Sequence, residues 1–328
     1  MATAQTNIII GVMLAGVATL SWALNFIAPY VTGNYSLYDL MLVKFLIAGG
    51  MGVAVVVLCR NQLRLVRHQQ RMLAAGLGVL GYLGYSVCIA AGVIFGGPVL
   101  TAAFIGMVPV LLALLGNATN KTILWRSLAL PLTLMTAGLL LSNIGSLNQP
   151  TTSNNSWLLA VAFSVSAVAL WLAFSVINQR ALEKLPANAT GIWTGLMMVG
   201  AGLGTVCLLP IVWGLGLLEL PILGTGISQA GPLYLWSLLI AVMSSLVGAW
   251  AWNAASRRLP MVLSGQLISL ESLFATLLGL MFHGRLPTGL ETTGLGAVLL
   301  GVGMAVHAVH RQSKTSARCD KPVTHPSA

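Results

Sequence analysis

Ten almost wholly apolar stretches of about twenty residues follow one another along the chain, with short polar gaps between them. A hydrocarbon layer of about 30 Å takes about twenty residues of helix at 1.5 Å each, and with no water at hand each crossing segment must satisfy its own backbone hydrogen bonds. The chain therefore reads as an all-α integral membrane protein with ten transmembrane helices. They fall at 8–29, 40–59, 72–94, 97–116, 127–144, 157–177, 190–213, 233–254, 261–282 and 290–309. Met72 to Gly116 is nearly uninterrupted, and Gly96-Gly97-Pro98 marks the expected turn between two of these spans. Only 7% of the 328 residues are charged, against roughly a quarter in a soluble domain. A soluble enzyme is excluded.

The gaps test the count independently, because cytoplasmic loops carry the Lys and Arg. Fourteen of the sixteen cations fall in alternate gaps and in the tail: Arg60, Arg64, Arg67 and Arg71, then Lys121 and Arg126, Arg180 and Lys184, Arg257 and Arg258, and Arg311, Lys314, Arg318 and Lys321. The opposite gaps hold only Arg285, and Lys44 lies inside the second span. A miscounted span would scramble this alternation, so both termini are expected in the cytoplasm. Met1 to Asn7 lacks the basic start of a cleaved leader, and the first run reads as a retained span. The cations lie between apolar runs rather than on one solvated patch, so no nucleic-acid partner is expected.

Several chemistries find no foothold. Cys59, Cys88, Cys207 and Cys319 lie far apart, with no Cys-x-x-Cys pair and no His at ligand spacing. No two of the six acids lie within five residues of each other, and no glycine-rich phosphate loop follows a strand. The expectation is no metal, no cofactor and no enzyme.

Self-comparison finds a weak repeat at an offset of 163, aligning Ala90 to Gly116 with Asn253 to Gly279 and keeping Gly138 in register with Gly301. Trp22 and Trp171 each stand fourteen residues after the start of their spans. A unit of five spans is odd, so its second copy enters the membrane from the opposite side, and two inverted five-helix repeats suit alternating access. The boundaries read 1–147 for the first repeat, 148–156 for an outer linker, 157–310 for the second repeat and 311–328 for a disordered cytoplasmic tail.

The end of each half carries a further likeness. Leu270-Glu271-Ser272-Leu273-Phe274-Ala275 runs through Gly284-Arg285 into the glycine-rich GLGAVLLGVGMAVH from Gly294, with Pro109 at the matching place in the first half. In these features the chain resembles the EamA-like, ten-span members of the drug/metabolite transporter superfamily. It departs from them at Ser272, where a proline is usual, at Arg285, where a Glu is usual, and at Lys44, where an Arg is frequent. The resemblance implies a bacterial inner-membrane secondary transporter, often an exporter of amino acids or other small metabolites. It also implies that spans five and ten stand outside the central cavity.

Glu271 is the sharpest candidate for function: ten residues past Met261 and eleven before Phe282, it lies about 15 Å from either end of its helix. A charge at that depth reads as functional or as buried and paired, and protons are a candidate coupling ion. Ser264 and Gln266 precede it on the same helix. Lys44 either snorkels to the outer headgroups or lines the cavity, pairing with Glu271 or a substrate carboxylate. Trp22, Asn25, Tyr82, Tyr85, Ser86, Trp171 and Trp250 mix aromatic surface with a few hydrogen-bonding groups, as a small-molecule pocket does. Thr101, with Phe104 and Met107, marks a candidate face of span four. Helix packing is the plainer alternative for each. The competing functional classes are an integral-membrane enzyme and a non-transporting receptor or structural protein.

Overall fold

The computed structural model describes residues 2–120, 125–143, 157–284 and 286–319, and among these it is helical throughout, with no strand. Ten long helical rods succeed one another in order. They are α1 (Ala2–Ala23), α2 (Leu37–Leu58), α3 (His68–Leu77, Gly78–Gly84 and Tyr85–Ile105), α4 (Val108–Asn120) and α5 (Trp125–Asn143). Then come α6 (Trp157–Glu183), α7 (Thr190–Gly214), α8 (Ile227–Ile240, Ala241–Gly248 and Ala249–Ser256), α9 (Met261–Leu267 and Ser269–His283) and α10 (Gly289–Cys319). Among the described residues eight of the rods, all but α4 and α5, contain a stretch long and apolar enough to cross a membrane. At 13 and 19 residues, α4 and α5 are shorter.

The turn expected at Gly96-Gly97-Pro98 is not there. Tyr85–Ile105 is one helix through that sequence, and the chain turns at Gly106 and Met107 instead. A proline inside a buried membrane helix is tolerated where neighbouring helices and local adjustment make good the lost backbone bond. Gly96, with no side chain, also lets α3 press against Ala160 of α6. The linker expected at 148–156 lies outside the described residues, as do Lys121 and Arg285. The last helix continues to Cys319, through the first nine residues of the expected tail; a helix leaving the membrane ends where its own backbone pattern ends, not at the membrane face.

Helix ends are fixed by local chemistry. Ser36 and Asp39 form a reciprocal cap on α2, and Thr288 and Glu291 do the same for α10. Asp39, fully buried, also accepts from the backbone N–H groups of Glu219 and Leu220, tying the loop before α8 to the start of α2. Two of the six acids are thus spent on architecture.

The rods pack along their lengths in five pairs: α1 with α8, α2 with α7, α3 with α6, α4 with α9 and α5 with α10. Missing side chains set the closest approaches. A Cβ on Gly49 would lie 2.9 Å from Gly202 Cα, and one on Gly138 would lie 2.6 Å from the Gly294 carbonyl oxygen, the small-residue contact that membrane helices use in place of hydrophobic collapse. The main core gathers around Trp22, Trp171 and Trp252, while leucines, valines and isoleucines cover the outside.

Two segments depart from α-helical winding. Gly78–Gly84 in α3 and Ala241–Gly248 in α8 wind as wide π-helix, and their starts are 163 residues apart. α9 is interrupted at Ile268, so that Ser269–His283 begins a new helix near the middle of the rod.

Candidate functional site

Both wide turns and the break in α9 border one small cavity. Its wall receives Trp22 and Asn25 from α1 and its continuation, Lys44 and Phe45 from α2, and Gly81, Tyr82, Tyr85 and Ser86 from α3. Trp171 comes from α6, Ser244 and Ser245 from α8, and Glu271 from α9. The cavity volume is about 50 Å³, room for a few waters and far below the roughly 300 Å³ and more of a filled small-molecule site.

Polar order in the wall starts at Asn25, in the 3-10 turn Leu24–Ile27 that ends the first rod. Its amide donates to the Trp22 carbonyl (2.8 Å) and to Ser244 Oγ (3.1 Å), while its oxygen accepts from Lys44 Nζ (2.7 Å). Trp22 Nε1 donates to the Ser244 carbonyl at 3.1 Å, within the wide turn of α8. Lys44 Nζ also sits 4.6 Å from the centre of the Phe45 ring, an attraction of cation to ring face. The snorkelling alternative for Lys44 is overtaken by this geometry: its side chain is 5% exposed and its head group is turned to Asn25.

Glu271 occupies the first turn of Ser269–His283, where the positive end of the helix dipole complements a carboxylate. It faces the same cavity as Lys44. Among the described residues neither takes part in an ion pair, and the Glu271 carboxylate has no hydrogen-bond partner.

The aromatic wall is continuous. Trp171 stands at its centre, with ring centroids 4.8 Å from Tyr85, 5.2 Å from Phe174 and 5.4 Å from Trp22, while Trp22 lies 5.2 Å from Trp252. The Trp171 indole N–H is buried without a partner. Toward the basic end of the bundle, Asn253 bonds Asn178 and Thr194, and Asn178 accepts from Trp193. This buried network joins α6, α7 and α8.

Eight of the eleven residues singled out from the sequence meet at the cavity. Thr101, Trp250 and Gln266 do not. Thr101 belongs to the C-terminal end of α3, not to a separate fourth helix, and packs 3.4 Å from Ser164 of α6. Gln266 is fully buried in α9 with neither amide atom bonded. Trp250 is 45% exposed and faces a separate hollow of about 730 Å³ at the basic end, with Asn7, Gln62, Asn188, Arg257 and Arg258. In that hollow the Arg257 guanidinium donates to the Leu185 carbonyl and is held below the usual arginine range, by burial first and by the charge of Arg258 second. The residues that the sequence did not mark are Phe45, Gly81, Ser244 and Ser245. The 163-residue offset was a usable signal for two of them, since Gly81 and Tyr82 stand at that distance from Ser244 and Ser245.

No family model matches the chain. Over 307 residues, 91% of this chain and 95% of the other, it is 27% identical to "Inner membrane protein YtfF" of Escherichia coli (strain K12). A crystal structure of a protein 18% identical superposes with a TM-score of 0.72 over 92% of this chain and 98% of that one, a likeness of fold alone. With eight long apolar helices among the described residues, the chain is a multi-pass membrane protein similar to one of a bacterial inner membrane.

Proposed function

We propose that the chain is a secondary transporter that moves small organic solutes, amino acids or related metabolites, across the membrane by alternating access, and that it exports them. The observation that carries this reading is the cavity itself: six rods bring an aromatic wall, hydroxyls, a lysine and a glutamate to one place inside a membrane bundle. Intramembrane charges facing a bundle interior are the usual mark of a solute or ion path. No catalysis is assigned to the site.

Ten spans in two inverted repeats, with both termini cytoplasmic, belong to the same proposal. Exchanging each rod for the one five places away turns the α1–α8 pair into α6–α3 and returns the other three pairs to themselves. The two wide turns repeat at the offset that relates Gly138 to Gly301. Such pairing supports a pseudo-two-fold relation between halves, which is what lets a central site open to either side in turn. In this picture α4 and α5 cross as the fourth and fifth spans, and α5 and α10 flank the bundle outside the cavity.

The test is flux. Purified protein in proteoliposomes is offered a panel of labelled amino acids and metabolites, and at least one should cross faster than in protein-free vesicles. Chemical conversion of a solute without net movement would replace the transporter with an enzyme.

A further inference from the structure

We propose that the hollow at the basic end is a binding site for the phosphodiester headgroup of an anionic phospholipid, held by the guanidiniums of Arg257 and Arg258. It is a second site, apart from the central cavity, and does not depend on the transport reading.

At about 730 Å³ the hollow falls within the roughly 300–1,000 Å³ that small-molecule sites occupy. Its charge is one-sided: two guanidiniums line it, and no acid does among the described residues. Arg257 Nη2 donates to the Leu185 carbonyl and Arg258 Nη1 to the Ala254 carbonyl, the latter at 2.6 Å. Arg257 Nη1 is buried without a hydrogen-bond partner. A guanidinium carries five N–H donors in a planar fork that meets phosphate oxygens two at a time, so most of what the pair can donate is uncommitted. The side-chain amides of Asn7, Gln62 and Asn188 bring further donors to the same walls. An anion rich in oxygens is the ligand that such a lining fits.

Depth selects a lipid among such anions. Arg257 directly follows Ser256, the last residue of α8, a rod apolar and long enough to cross a membrane; it therefore stands at the level of the headgroups. Trp250 is seven residues earlier, about 10 Å back along the rod, and is 45% exposed. The hollow thus runs from the headgroup level toward the hydrocarbon, with arginines at one end and an indole of the interfacial kind at the other. A phospholipid has the same order, phosphate first, then glycerol, then acyl chains. Dissolved phosphate would leave the indole end unused. Basic pockets between membrane helices take anionic headgroups in this way.

The experiment assembles the full chain in nanodiscs of equal parts phosphatidylglycerol and phosphatidylcholine, extracts it in mild detergent, and counts the lipids it retains by native mass spectrometry. Phosphatidylglycerol should be retained at least about tenfold over phosphatidylcholine, the worth of one charge-assisted contact. Arg257→Gln combined with Arg258→Gln should abolish that preference. Arg311→Gln combined with Lys314→Gln removes the same charge from residues that do not line the hollow and should keep it. Gly191→Phe tests the place without touching a charge: Gly191 lines the hollow, a Cβ there would meet nothing within 4 Å, and the ring should obstruct the lipid and lower the preference. Equal retention of the two lipids by the wild-type protein overturns the proposal, as does equal loss in the two double variants or an unchanged preference in Gly191→Phe. Should the arginine variant fail to fold, the wild-type protein and Gly191→Phe still decide. Calorimetry in phosphatidylcholine nanodiscs separates the sources of phosphate. Inorganic phosphate and glycerol phosphate should give no isotherm; binding of either would make the occupant a soluble anion and overturn the lipid assignment.

Discussion

The Lys44 ammonium lies 2.7 Å from the side-chain oxygen of Asn25, and the amide of that asparagine reaches 3.1 Å to Ser244 Oγ. One residue at the end of the first rod therefore ties α2 to α8 and sets where the intramembrane cation points. Asn25→Leu keeps the size and removes both bonds. It should lower stability by about 1–3 kcal/mol, the cost of leaving buried polar groups unpaired, and weaken solute binding. Thermal unfolding in detergent and a binding isotherm check it; a variant equal to wild type in both would mean that Asn25 does not hold Lys44.

Glu271 shares its cavity with Lys44, Tyr82 and Tyr85, and of these it is the carboxylate whose proton could couple to solute movement. Glu271→Gln retains the shape and removes the titration. Uphill, pH-dependent flux should disappear while membrane insertion and the size-exclusion profile stay as in wild type. Uphill flux with an unchanged pH profile would reduce Glu271 to a packing residue.

The α5–α10 contact should be separable from the site. A Cβ on Gly301 would come 2.6 Å from Met135 Cγ, as one on Gly138 would from the Gly294 carbonyl. Either glycine changed to Leu should cost about 1–3 kcal/mol through overpacking. The folded fraction should bind solute with wild-type affinity, because the cavity wall comes from α1, α2, α3, α6, α8 and α9. Weakened binding in that fraction would mean that α5 and α10 shape the cavity.

Topology can be read directly. Reporter fusions after Asn148 and after Arg318 should lie on opposite sides of the membrane, because fourteen cations fall in alternate gaps and the tail and only Arg285 in the opposite gaps. Fusions on the same side would remove the ten-span arrangement.

The apolar runs were legible because span length is a one-dimensional signal, and Glu271 because an acid in the middle of an apolar run stands out in the sequence. Facing is harder to read. Trp250 and Trp252 sit two residues apart, and it is Trp252 that joins Trp22 and Trp171 while Trp250 looks into the basic hollow; the wide turn just before them breaks the periodicity that would have told them apart. The interruption at Ile268 carries no glycine or proline at that residue to announce it. The roles of Asp39 and Glu291 were within reach, since Ser36-Leu37-Tyr38-Asp39 and Thr288-Gly289-Leu290-Glu291 have the spacing of a capping box. The turn after α3 was misplaced because Gly96-Gly97-Pro98 has the chemistry of a turn, whereas the helix runs through it and Gly96 packs against Ala160 of α6.

The wide turn at Gly78–Gly84 sets the phase of the part of α3 that follows it. Each residue of an α-helix turns the chain by about 100°, and a π-type winding holds one more residue per closed ring than an α-helix does. Deleting one residue between Gly78 and Gly84 as the segment relaxes to ordinary winding would keep the rest of the rod in phase, but relaxation at the present length would swing it by about that angle. Tyr85 and Ser86 would leave the cavity wall, while Gly78 would keep its contact with Met197. A change that alters no side-chain chemistry would thus unmake the cavity wall, so which face α3 shows there is written in its winding as much as in its letters.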